Sequence, residues 1–113
     1  MSMTGLVADI VSDLYSFRDR TEVRAYLELH GEVLPVLVEA YSHIQAHFGS
    51  GTPVVLTVIS EPADRQSAEL FALISTSLPV EQALAAMRRF DEEWWLDVPE
   101  HQTGALNFDI EFV

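Results

Sequence analysis

The chain contains no cysteine and no lysine. Without cysteine there can be no disulfide, thiolate metal site, iron–sulfur cluster or cysteine nucleophile. Without lysine there is no P-loop lysine, and neither a Gly-rich phosphate loop nor a G-x-S-x-G elbow occurs. Positive charge is scarce altogether: six basic residues, all arginine, stand against 18 acidic ones, for a formal charge of -12. Such a balance repels phosphate backbones and anionic membrane surfaces, so neither nucleic acid nor membrane is an expected partner. No apolar run approaches the roughly 20 residues that cross a bilayer. Met1 to Ile10 lacks the basic start of a signal peptide and carries Asp9 inside its apolar stretch, so the cytoplasm is the expected compartment.

What remains is a chain of 113 residues, 49% hydrophobic and 10% aromatic. That length and composition fit one folded domain rather than a disordered segment. Leu6 to Phe17 reads as an amphipathic helix, with Leu6, Ile10, Leu14 and Phe17 at helical spacing and Val7 and Val11 widening the stripe. Asp19 or Thr21 can cap a second helix through His30, with Val23, Tyr26 and Leu27 inward and Gly31 ending it. Pro35 fits only a first helical turn, so a third helix runs from Glu32 or Pro35 to Phe48. Its inner face is Leu34, Leu37, Val38, Tyr41, Ile44 and Phe48.

After the loop Gly49–Pro53 the period changes. Val54–Ser60 and Glu69–Thr76 are dense in β-branched residues and read as strands joined through Glu61–Ser67. Pro79 opens a last helix, with Ser77 as its cap, running to about Leu96 before Pro99. Ala105–Val113 alternates, with Leu106, Phe108, Ile110 and Phe112 inward. The expectation is an α+β fold of element order α-α-α-β-β-α-β. The first strand is apolar on both faces and so belongs in the middle, giving a three-stranded antiparallel sheet of order 2-1-3. The alternative sets the third strand parallel beside the second. Val55, Ile59, Phe71 and Leu73 would then point to an outer face that needs a cover, whether the first helix, a second copy in a homodimer, or another protein.

The most distinctive stretch is Arg88 to Asp97. Val80, Ala83, Leu84, Met87, Phe90 and Trp94 form one helical stripe, and Asp91 falls inside it. A carboxylate there needs a partner, such as Arg18, Arg20 or Arg24, or an opening in the core. Trp94 is the core tryptophan; Trp95, at the stripe's margin beside Arg88, is either an interface anchor or a lid over the sheet edge. Arg88–Glu92 and Arg89–Glu93 have the spacing of helical ion pairs. His43 and His47, with Glu39 one turn earlier, have a metal-ligand spacing but point away from the apolar face, so no metal and no cofactor is expected. His30 and His101, near helix ends or loops, add little. Asp91, Trp95, Arg88 and Glu92 are the candidate binding residues, and no catalytic residue stands out.

The chain resembles a group of short uncharacterised bacterial proteins, common in cyanobacteria and their relatives. The likeness rests on Phe17 to His30, on Leu34-Pro35-Val36-Leu37-Val38-Glu39-Ala40-Tyr41, on Arg89-Phe90-Asp91-Glu92-Glu93-Trp94-Trp95 and on Asp109-Ile110-Glu111-Phe112. The segment before Ser16 is less typical of the group. The resemblance implies a compact fold and carries no activity. Together these features point to a non-enzymatic acidic interaction domain with a basic protein partner, such as an antitoxin-like member of a two-protein bacterial module. The alternative is a small ligand-binding protein or hydrolase using Asp91 in a cleft.

Overall fold

In the computed structural model, which describes residues 3–61 and 63–113, the first helix, α1, spans Met3–Leu14. Val11 and, just past the helix, Tyr15 are buried, whereas Leu6 and Ile10 are exposed. The expected stripe is thus turned by about one residue's rotation, roughly 100°. Tyr15 causes the shift: its hydroxyl donates to the Leu37 carbonyl at 2.6 Å and its ring meets Tyr41 edge-on. Phe17 leaves the helix for a two-residue strand, β1 (Ser16–Phe17). Asp19 then adopts a left-handed conformation, φ 57°, and its carboxylate accepts the Glu22 N–H. Aspartate tolerates that conformation and caps well. It starts α2 (Arg20–Leu29), which buries Val23, Tyr26 and Leu27 as expected.

The third helix, α3 (Val33–Phe48), carries Pro35 in its first turn and buries Leu34, Leu37, Ile44 and Phe48. Its Gln45 staples the following loop. The side-chain oxygen accepts the N–H groups of Gly51 and Thr52, and the amide nitrogen donates to the Thr52 carbonyl. Next come β2 (Val54–Glu61) and β3 (Asp64–Thr76), whose connection includes Pro62, outside the described residues. β3 begins five residues earlier than the sequence suggests, at Asp64 rather than Glu69. The expected seven-residue connection is therefore largely strand. α4 (Val80–Glu93) follows Pro79, and Ser77 does not cap it; instead the Thr76 hydroxyl accepts the Leu78 N–H. The helix stops three residues short of Leu96, because Trp94 has left helical geometry (φ −145°, ψ −57°). A 3₁₀ turn (Trp95–Asp97), the short helix α5 (Glu100–Thr103) and β4 (Leu106–Phe112) complete the chain.

The α+β class stands, but the sheet differs from the expectation. It has four strands in the order β1-β2-β3-β4. β1 and β2 are parallel, β2 and β3 antiparallel, and β3 and β4 parallel. The expected three-stranded antiparallel order 2-1-3 fails because the edge of β2 is already taken. Ser16 and Phe17 pair with Val55 and Leu56, and the Arg18 N–H donates to the Leu56 carbonyl. The remaining open partner is β3, also apolar on both faces, and a strand that returns through a crossover helix lies parallel to it. The element order gains β1 and α5, both too short to leave a periodic signal.

Register assigns the faces. Val54, Leu56 and Val58 align with Ile74, Ala72 and Leu70, and these with Ile110, Phe108 and Leu106. That inner face carries the core, which includes Val11, Leu34, Leu37, Ile44 and Phe90 from the helices. The outer face consists of Val55, Thr57 and Ile59, of Phe71, Leu73 and Ser75, and of Asn107, Asp109 and Glu111. None of these is buried. α1 therefore does not wrap around to cover them.

Candidate functional site

α4 is where the candidate residues meet. Ala83, Ala86 and Phe90 are its buried line, so the core-facing stripe is narrower than the one read from the sequence. Val80 and Leu84, expected inward, are exposed. One flank of α4 meets α3. The His47 imidazole Nε2 lies 2.9 Å from the Glu93 carboxylate, and His43 stacks on Trp94 with ring centres 4.8 Å apart. Both histidines thus face a neighbouring helix and not solvent; the stripe of α3 alone does not reveal that α4 packs there. No group of three or more His, Asp or Glu able to hold a metal ion occurs among the described residues.

The opposite flank of α4 carries Leu84, Met87 and Asp91. Asp91 lies two residues, roughly 160°, around the helix from Glu93. Its carboxylate meets none of the expected arginines. Arg18 instead reaches Glu111 at 3.1 Å, joining opposite edges of the sheet. Asp91 Oδ1 is shielded from water and has no hydrogen-bond partner. Burial, and secondly the neighbouring Glu92, hold this carboxyl above the ordinary aspartate range. Arg88 and Glu92 are exposed beside it, and neither they nor Arg89–Glu93 form the ion pairs their spacing suggested, Glu93 being engaged by His47.

Trp95 packs over the edge strand. Its ring meets Phe108 of β4 at 4.6 Å in a T-shaped arrangement and is half-buried. Phe90 and Trp94 also reach Phe108. Trp95 thus meets β4 through the inner-face ring of Phe108, and part of its own ring still reaches solvent. Asp91, Arg88 and Glu92 therefore lie on α4 outside its buried line, and Trp95 just past its end, where Phe90, Trp94 and Trp95 meet Phe108 of β4.

Two hollows lie elsewhere. A cleft of about 330 Å³ between α1 and α2 is lined by Asp9, Ser12, Phe17, Arg24, Leu27 and Glu28. A more open one of about 510 Å³ lies between α2 and the β2–β3 hairpin, beside Glu22, Tyr26 and Glu61. Neither includes Asp91, and neither was legible as a site in the sequence, because its residues come from separate elements with no shared motif.

The state of Asp91 has a measurable consequence. A carboxyl whose folded pKa is raised stabilises the fold below its unfolded value, about 3.9. That contribution is lost as pH rises through the higher folded value. At neutral pH the buried charge is a cost. Asp91→Asn is expected to add about 0.5 kcal/mol at pH 7, a gain limited because water still reaches part of the carboxyl, or roughly 2 °C in Tm. The gain should vanish as the pH falls below the ordinary aspartate value; paired thermal melts at pH 7 and pH 3.5 would check both halves. A loss of stability at pH 7 would mean that Asp91 has a partner it needs.

No family model, curated protein or solved structure matches the chain.

Proposed function

We propose that this chain is a non-catalytic interaction domain that binds a basic protein partner across the rim of α4 and β4. One observation carries the reading: apolar side chains stay exposed on the same elements as carboxylates that form no ion pair among the described residues. Leu84 is 52% exposed and Phe112 49%, while Glu92 and Asp109 lie open on the same two elements, α4 and β4. Exposed apolar groups that cluster mark interaction surfaces, and the surrounding acids select the sign of what binds. A homodimer through the outer sheet face would set Glu69, Asp109 and Glu111 of two copies close together, which favours a basic partner over a second copy. An antitoxin-like role in a bacterial two-protein module, in the cytoplasm, fits this chemistry.

Among the described residues no helix is long and apolar enough to cross a membrane. The test is capture of the partner by tagged protein at about 50 and 500 mM salt, spanning strong and weak screening. One stoichiometric basic protein, released at high salt and bound at least 10-fold more weakly by Trp95→Ala, is the expected result. Salt-independent capture would sink the electrostatic reading. A ligand-binding or hydrolytic role rests on the unpartnered Oδ1 of Asp91. It requires that Asp91→Asn abolish a measured activity while leaving the protein folded.

A further inference from the structure

β4 is an edge strand, and its hydrogen-bonding alternation determines which groups it offers. The Leu70 N–H donates to the Ala105 carbonyl and the Val113 N–H donates to Thr76. Odd-numbered backbone groups of β4 therefore face β3, and those of Leu106, Phe108, Ile110 and Phe112 face away from the sheet. By register the same four residues fall on the inner face, where Phe108 meets Phe90 of α4. Asn107, Asp109 and Glu111 line the outer face. One free donor is held locally: the Ile110 N–H donates to the Asp109 carboxylate at 2.8 Å. An exposed row of this kind is a template for another strand unless something blocks it.

The surroundings state what such a strand must look like. The helical layer follows the sheet: α1 packs on α3, and α3 on α4, so α4 lies at the β4 end, with Leu84 and Asp91 on its flank away from α3. A segment laid beside β4 has one set of side chains under that flank, next to Phe108, Ile110 and Phe112. Its other set lies beside Asp109 and Glu111, of which only Glu111 has an arginine. The first set must be apolar except beside the unpartnered Asp91, and the second basic. Self-pairing of β4 is disfavoured. An antiparallel register centred on Asp109 sets that residue against itself, and one centred on Ile110 sets Asp109 against Glu111.

We infer that the free edge of β4 takes up an extended segment of the basic partner, alternating apolar and Lys/Arg residues, as an added fifth strand. This rests on the basic-partner reading and specifies where and in what form the partner binds.

The probe is a synthetic nine-residue peptide alternating Val and Arg, with a Val/Glu peptide as control. Amide exchange and chemical shifts of the full chain are followed by NMR. The expected result is new protection at the amides of Phe108, Ile110 and Phe112, with those of Asn107, Asp109 and Glu111 unchanged. Affinity for the Val/Arg peptide should be at least 10-fold above the control. Phe112→Pro removes one free-edge donor without touching the β3–β4 ladder, and should weaken binding at least 10-fold. Asp109→Lys, at an exposed position, should weaken the Val/Arg peptide and strengthen the Val/Glu one. Val/Arg binding that protects the outer face or the α2 cleft instead overturns strand addition while leaving the basic-partner reading standing. No Val/Arg binding up to millimolar concentration, or equal binding of the control, overturns both. A concentration-dependent dimer showing the same β4 protection without peptide would assign the edge to a second copy and also overturn the inference.

Discussion

Phe90→Ala is expected to cost about 3–5 kcal/mol, the range for removing a large ring from a closed core. Phe90 is fully buried and ranks among the largest such side chains. Its ring is 5.0 Å from that of Phe108 and 5.5 Å from that of Trp94. It therefore holds α4 on β4 and also backs the tryptophan on which His43 stacks. A domain of this size has a total stability of about 5–15 kcal/mol, so the variant should sit near its unfolding limit at 25 °C. Urea unfolding followed by tryptophan fluorescence would report it directly, since Trp94 lies against the cavity. A large drop in midpoint with an unchanged slope is expected. A loss below about 1.5 kcal/mol would show that neighbouring side chains collapse into the space.

The second large effect belongs to Gly104, between α5 and β4. Its backbone lies at φ 52°, ψ −130°, a combination open to glycine and costly for any L side chain. An added Cβ would also come within 3.3 Å of Glu32 Oε1 and 3.8 Å of Val33 Cγ1. Glu32 is exposed and can swing aside, so the backbone term dominates. Gly104→Ala should cost about 2 kcal/mol. Gly51→Ala is the control: φ is 86° there, but nothing lies within 4 Å of the new Cβ. If Gly51→Ala costs as much, backbone conformation accounts for both. A much larger loss at Gly104 would show that the α3 start cannot yield and that β4 is being displaced.

How much of this was legible depends on what each signal encodes. The inward residues of α2, most of those of α3, and the alternation of β4 from Leu106 to Ile110 follow from periodicity and are found, whereas Phe112, expected inward, is exposed. Whether β4 lies parallel to β3 or antiparallel to β2 does not follow, because Leu106, Phe108, Ile110 and Phe112 alternate identically in both. A strand of two residues, Ser16–Phe17, has no period at all. The rotation of α1 goes with long-range contacts of Tyr15, to the Leu37 carbonyl and the Tyr41 ring, that no local window contains. At the candidate site, Asp91's awkward position was visible from the helix projection, but its lack of an arginine partner was not. Arg18 is drawn instead to Glu111, 93 residues away in sequence. That Trp95 meets Phe108 was not legible either, because the two residues lie on different elements brought together only by the fold.

The sheet also combines joints of very different reach. β2 and β3 are joined by a tight hairpin, with Glu61 opposite Asp64, whereas β3 and β4 are separated by the residues 77–105. Closing the longer loop costs more chain entropy before any pairing rewards it. The hairpin can form early on local contacts, and β4 docks only once α4 has folded across. With Phe90 of α4 seated on Phe108 of β4, the two are expected to open together in the native protein, separately from the hairpin. Amides of Asn107, Asp109 and Glu111 should then exchange with deuterium sooner than those paired between β2 and β3.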